Sequence, residues 1–200
     1  MTHFLGIDPG LEGAFVLLTE SGRPVEFVDM PLDRGNKNTA NYDPYSIHSL
    51  IRKYSRLPHL RVALEWPQTR PGEGAQRCRN FGLGLGYVEM ACLSLGLPVE
   101  KIAPLKWKNT FSLPAKEKDP QLKLHLAVFD TFFGAYRDQV TGPRGGIKDG
   151  RLEACLIAEH LRRRTAAGMR ATVARFGRGS AEAMSMVLGA GRRRKNRPSS

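Results

Sequence analysis

The chain has 200 residues, 41% of them hydrophobic and 25% charged, with a net charge of +12 and a pI near 10.1. That length suits one domain with a sizeable core. It offers no run of about 18 apolar residues that would cross a membrane, and the start lacks the ordered charged, apolar and small-residue zones of a signal peptide. Residues 3–8, HFLGID, predict a short buried strand that stops at Asp8 because Pro9-Gly10 is turn chemistry. Residues 14–18 and 25–30 predict two more strands, joined by the Ser21-Gly22-Arg23-Pro24 turn, so the first three strands form an antiparallel meander. Residues 33–43 are polar and loop-like. Residues 45–54 have helical spacing through Ile47, Leu50 and Ile51.

The apolar run Arg61–Glu65 predicts a strand ended by Trp66-Pro67. Residues 67–80 read as a mobile polar loop, 81–95 as a helix and 99–102 as a strand. Helices are expected at 106–111, 121–133 and 151–164, with a flexible loop over 141–146. An antiparallel meander followed by strands alternating with helices makes an α/β fold, a mixed five-stranded sheet flanked by helices, and the order fits an RNase H-like sheet. The sequence divides into a domain over 1–164 and a basic, flexible tail over 165–200.

The charge is unevenly placed. Residues 161–200 hold ten Arg and one Lys against Glu182 alone, leaving about +2 for the first 160 residues. A strongly basic chain of this kind meets a polyanion. Arg162-Arg163-Arg164 reads as a solvated helix end that complements the helix dipole, and Arg192–Lys195 as a nonspecific DNA contact or a targeting tail. The three cysteines, Cys78, Cys92 and Cys155, are widely spaced and odd in number, so neither a disulfide framework nor a zinc site is expected; a reducing compartment fits.

Four acids stand out by position. Asp8 and Glu65 end apolar strands; Asp149 stands at the mouth of the last helix and Glu153 one turn inside it. Residues four apart share a helix face, so Asp149 and Glu153 can aim at one point. Each has an ordinary reading alone: Asp8 as a turn-initiating aspartate, Asp149 as a helix cap, Glu153 as a solvated first-turn acid. Glu65 is harder to explain so, because a carboxylate at the end of Val-Ala-Leu is costly if buried without partners. Together they point to a metal site. A carboxylate set without His or Cys suits Mg²⁺, with Mn²⁺ able to substitute, and a two-ion site of that kind hydrolyses phosphodiesters. Asp8 is the expected bridging ligand.

These residues carry a resemblance. Gly6-Ile7-Asp8-Pro9-Gly10, Ala63-Leu64-Glu65 and Lys148–Ala154 followed by Leu156-Ile157-Ala158 resemble, in order, motifs of the RuvC-type Holliday junction resolvases. Phe81–Gly86 and Pro104–Lys108 resemble the monokaryotic-chloroplast and phage-like branch. The likeness covers residues 3–164. It implies an RNase H-like fold, a homodimer, and Mg²⁺-dependent paired nicks in opposing strands of four-way junction DNA. It makes Asp8, Glu65, Asp149 and Glu153 metal ligands and Lys108 a catalytic-site contact to phosphate. A cytoplasmic protein, bacterial or phage-encoded, or one of an organelle nucleoid would fit. Two features depart from the bacterial pattern, which ends in two aspartates three apart: here the spacing is four and the second acid is Glu. The long basic tail has no counterpart in it.

Expected DNA contacts are Lys106 and Lys108 around Trp107, Lys148, and the Trp66, Gln68, Arg70, Arg77 and Arg79 side chains after Glu65. In that segment polar groups can read bases and Trp66 can stack in an opened crossover. Gly82, Gly84 and Gly86 fit either close approach of a phosphate backbone or, preferably, packing against a second copy. The competing readings are a sugar-kinase or Hsp70-like ATPase, for which the chain is short; another RNase H-like nuclease, cutting flaps or RNA–DNA hybrids; and a non-catalytic junction-binding protein, for which four converging carboxylates have no purpose.

Overall fold

A five-stranded sheet carries the molecule. Its strands are β1 (His3–Asp8), β2 (Ala14–Thr19), β3 (Pro24–Asp29), β6 (Leu60–Glu65) and β7 (Val99–Ile102), in the order β3-β2-β1-β6-β7. The computed structural model describes residues 1–33, 35, 41–67, 72, 74–114 and 120–168. β1–β2 and β2–β3 pair antiparallel, whereas β1–β6 and β6–β7 pair parallel. The sheet is the mixed α/β arrangement expected from the strand order. A small two-stranded ladder, β4 (Leu32–Asp33) with β5 (Asn41–Tyr42), lies in the segment read as loop.

Alternation along the strands separates two cores. On one face Leu5, Ile7, Phe15, Leu17, Val62 and Leu64 pack with α1 (Pro44–Ser55) and α2 (Ala75–Ser94). On the other, Phe4, Val16, Leu18 and Ala63 pack with α3 (Pro104–Thr110), α4 (Pro120–Phe133), a 3₁₀ segment (Gly134–Val140) and the last helix, α5, over 149–168. Side chains two apart on a strand share a face, so Gly6 and Asp8 follow Phe4 toward α5, and Glu65 follows Ala63. No helix among the described residues is long and apolar enough to cross a membrane.

α2 starts six residues earlier than its periodicity indicates. Ala75, Gln76, Arg77 and Arg79 are good helix formers, and Gly74 is the last helix breaker before them; the polar character of 75–80 marks an exposed helix face rather than a loop. Residues 1–162 form one unit and 163–200 another. Of the expected tail, only 165–168 lies within the described residues.

Candidate active site at the carboxyl edge of the sheet

Asp8 and Glu65 arrive at the same sheet edge because their strands are adjacent, parallel and in register, with Ile7 opposite Leu64. Pro9 ends β1, since it has no N–H to donate to the ladder. Asp8 Oδ1 accepts from the Gly10 backbone N–H at 3.0 Å. Asp8 thus makes the turn that an aspartate before Pro-Gly is expected to make, and faces the other acids as well. Beyond Glu65, the Trp66 N–H donates to the Ile102 carbonyl at 2.8 Å and prolongs the β6–β7 pairing by one residue.

α5 brings the other two acids. It lies directly against β1, and Gly6 makes that possible. A Cβ there would collide with the Ala154 carbonyl oxygen and come within 2.5 Å of the Ala158 nitrogen. Gly150, in the first turn, lets the helix start approach the Glu12-Gly13 turn; its Cβ would overlap the Glu12 carbonyl and lie 2.7 Å from Gly13 Cα. Glu153 is held one turn on, 22% exposed, and Asp149 is exposed at the rim.

The acids sense one another. Burial raises Asp8 to about 7, helped by the charges of Glu153 and Asp149 and opposed by the Gly10 N–H and Lys108. Burial likewise raises Glu65 to about 8, with Asp8 and Glu153 adding to it and the Trp107 N–H and Lys108 opposing. Glu65 is 7% exposed and Lys108 6%. The structure therefore brings Asp8, Glu65, Glu153, Asp149 and Lys108 into one electrostatic neighbourhood. Among the described residues, no three His, Cys, Asp or Glu side chains stand close enough to form a finished coordination shell.

The other expected contacts are more dispersed. Trp66 is half-buried, with Lys101 Nζ 4.0 Å from its ring centre; Lys101 also pairs with Glu89 at 2.6 Å. Arg77 and Arg79 are exposed on the first turns of α2, Arg77 over the Phe81 ring. Lys106 is exposed on α3. Lys148 pairs with Asp29 at 2.7 Å, and Arg151 bonds the same carboxylate. Gln68 and Arg70 lie outside the described residues.

Two residues that the sequence did not single out as partners of the acids touch them. Trp107 Nε1 donates to Glu65 Oε1 at 2.7 Å, and His125 Nδ1 lies 3.2 Å from Glu153 Oε1. The available signal for His125 was a lone His in the otherwise apolar centre of α4.

No protein-family model matches the chain, and no curated protein matches its sequence. Among solved structures it is similar to Thermus thermophilus RuvC in complex with a Holliday junction substrate, with 17% identity, a TM-score of 0.51, and coverage of 88% of this chain and 97% of that one. A second Thermus thermophilus RuvC structure gives 14% identity and a TM-score of 0.53, with the same coverage of each chain. At that identity the likeness speaks for the backbone: this chain has the mixed-sheet, RNase H-like fold of RuvC.

Proposed function

We propose that the chain is an endonuclease that resolves four-way (Holliday) DNA junctions by paired, symmetrical, Mg²⁺-dependent nicks in opposing strands. The observation that carries this reading is the electrostatic coupling of Asp8, Glu65 and Glu153 at the carboxyl edge of the sheet, where burial first and like charge second hold Asp8 and Glu65 far above the usual carboxylate range. The RuvC-like fold and the junction bound by one of its structural neighbours support the choice of substrate.

The donor set fits Mg²⁺ or Mn²⁺. It is a group of carboxylate oxygens that repel one another, and a hard divalent cation would relieve that repulsion. Asp8, Glu65 and Glu153 would hold the ions, with Asp149 at the rim. When bound, such ions activate the attacking water and stabilise the leaving 3′ oxygen. Lys108, buried beside the cluster, supplies positive charge for the scissile phosphate. Trp66, Arg77, Arg79, Lys106 and Lys148, with Gln68 and Arg70, contribute to DNA binding. The basic residues over 165–200 add salt-sensitive affinity.

Symmetrical cutting requires two sites, which we assign to a homodimer. On one face of α2, Gly82, Gly86, Met90 and Leu93 are exposed, Met90 at 60% and Leu93 at 66%, and a Cβ at either glycine would meet nothing within 4 Å. That face offers small and apolar surface to a second copy. Assignment to the chloroplast and phage-like branch rests on the Phe81–Gly86 and Pro104–Lys108 motifs.

The test is cleavage of a synthetic mobile four-way junction in Mg²⁺ against EDTA, with duplex, fork and RNA–DNA hybrid controls. Symmetrical, Mg²⁺-dependent nicks in the junction alone are expected. Preferential cutting of fork or hybrid would move the substrate to another RNase H-like nuclease class. Tight junction binding without cutting would point to a non-catalytic module.

A further inference from the structure

Trp107 and His125 are buried at 0% and 2% exposure on two different helices, yet each turns its polar edge to an acid of the candidate site. Trp107 Nε1 donates to Glu65 Oε1 at 2.7 Å. His125 Nδ1 is 3.2 Å from Glu153 Oε1. The two rings touch, with centres 5.6 Å apart and planes inclined at 56°, and Lys108 Nζ lies 5.4 Å from the Trp107 ring centre. A continuous path thus runs from Glu65 on β6 through α3 and α4 to Glu153 on α5.

We infer that Trp107 and His125 are positioning residues that set the rotation of Glu65 and Glu153 for cation binding. Both rings are buried, so each polar edge faces its glutamate before any ligand arrives. A carboxylate held by one charge-assisted hydrogen bond loses rotational freedom and presents its lone pairs in a fixed direction. An apolar core needs no such donors. Phe and Leu would fill these volumes without directing a polar group at the acids. The inference rests on the metal-site reading above, and Trp107 and His125 act only through the two glutamates.

The experiment measures Mn²⁺ binding to the full chain without DNA, by the electron paramagnetic resonance signal of free Mn²⁺, with thermal unfolding in EDTA for each variant. Trp107→Phe and His125→Leu should weaken Mn²⁺ affinity about 10–100-fold each, the usual effect of removing a partner behind a metal ligand. His125→Asn, whose amide nitrogen takes the place of Nδ1, should stay close to wild type; His125→Gln, which moves the donor by one bond, should not. Asp8→Asn serves as the control for the site itself. If Asp8→Asn loses Mn²⁺ binding but Trp107→Phe and His125→Leu retain it, the positioning role is overturned and the metal site stands. If Asp8→Asn binds like wild type, the metal-site reading fails and takes the inference with it. Should His125→Leu not fold, the Asn and Gln variants decide, and equal affinities for them overturn the role of His125.

Discussion

Asp8 and Glu65 follow the paired residues Ile7 and Leu64 on neighbouring parallel strands, so one rung of the sheet ends in two carboxylates on the same face. Two anions on adjacent strands oppose folding unless they are protonated or share a cation. Asp8→Asn removes one of them and is expected to cut cleavage at least about 100-fold, more than the loss typical of a group that only supports a ligand. Junction binding in gel shift should persist. A fully active Asp8→Asn would eliminate the site.

The raised carboxyls make stability depend on pH in a defined direction. Asp8 near 7 and Glu65 near 8 are raised by burial first and by like charge second; unfolded, such groups ionise near about 4. Between those values the folded chain holds more protons, so its stability falls as pH rises. A cation that needs ionised carboxylates works the opposite way. Thermal unfolding from about pH 5 to about pH 8 should show Tm falling in EDTA, a smaller fall in Mg²⁺, and a flatter EDTA curve for Asp8→Asn. A Tm that climbs with pH in EDTA would contradict the cluster.

Lys108 opposes the protonation of both Asp8 and Glu65. Lys108→Met keeps an unbranched side chain one atom shorter and removes the charge. The rising limb of the pH–rate profile should move to higher pH and the maximal rate should drop, while salt-dependent junction affinity changes by no more than about one phosphate contact. An unmoved limb would place Lys108 outside the cluster's field.

Two glycine substitutions should have opposite effects. Gly6→Ala drives a methyl into the backbone of α5 at Ala154 and Ala158; a loss of about 1–3 kcal/mol is expected, as for overpacked cores, together with reduced cleavage as Glu153 shifts. Gly86→Ala meets nothing within 4 Å in the single chain and should stabilise the helix of the dissociated chain by up to about 1 kcal/mol, with any cost falling on the proposed contact with a second copy. Thermal unfolding of both variants measures this, and a neutral Gly6→Ala would refute the close approach of α5 to β1.

Residues 161–200 carry +10 of the net charge. Deletion of 166–200 should weaken binding to every DNA form and flatten its dependence on salt, leaving the preference for junction over duplex intact in competition gel shifts. Loss of the preference itself would assign the tail a part in recognising the crossover.

By itself the sequence determined the five strands of the main sheet and where β1 and β6 end, and it singled out four acids as a proposed site, but it read the β4–β5 ladder as loop. Pro9 after Asp8 and Trp66-Pro67 after Glu65 mark strand ends locally, continuous apolar runs mark strands buried on both faces, and the four-residue step from Asp149 to Glu153 reports a shared helix face. These are features of neighbouring residues, and local pattern carries them. The tertiary structure decided what lies far apart along the chain. It alone pairs Trp107 with Glu65 across 42 positions, aims His125 at Glu153, engages Lys148 with Asp29 across 119 positions, and shows that Gly6 is required because α5 rests on it. The physical reason is that a side chain's partner across the core is set by register and helix packing, whereas periodicity records only which way the side chain faces.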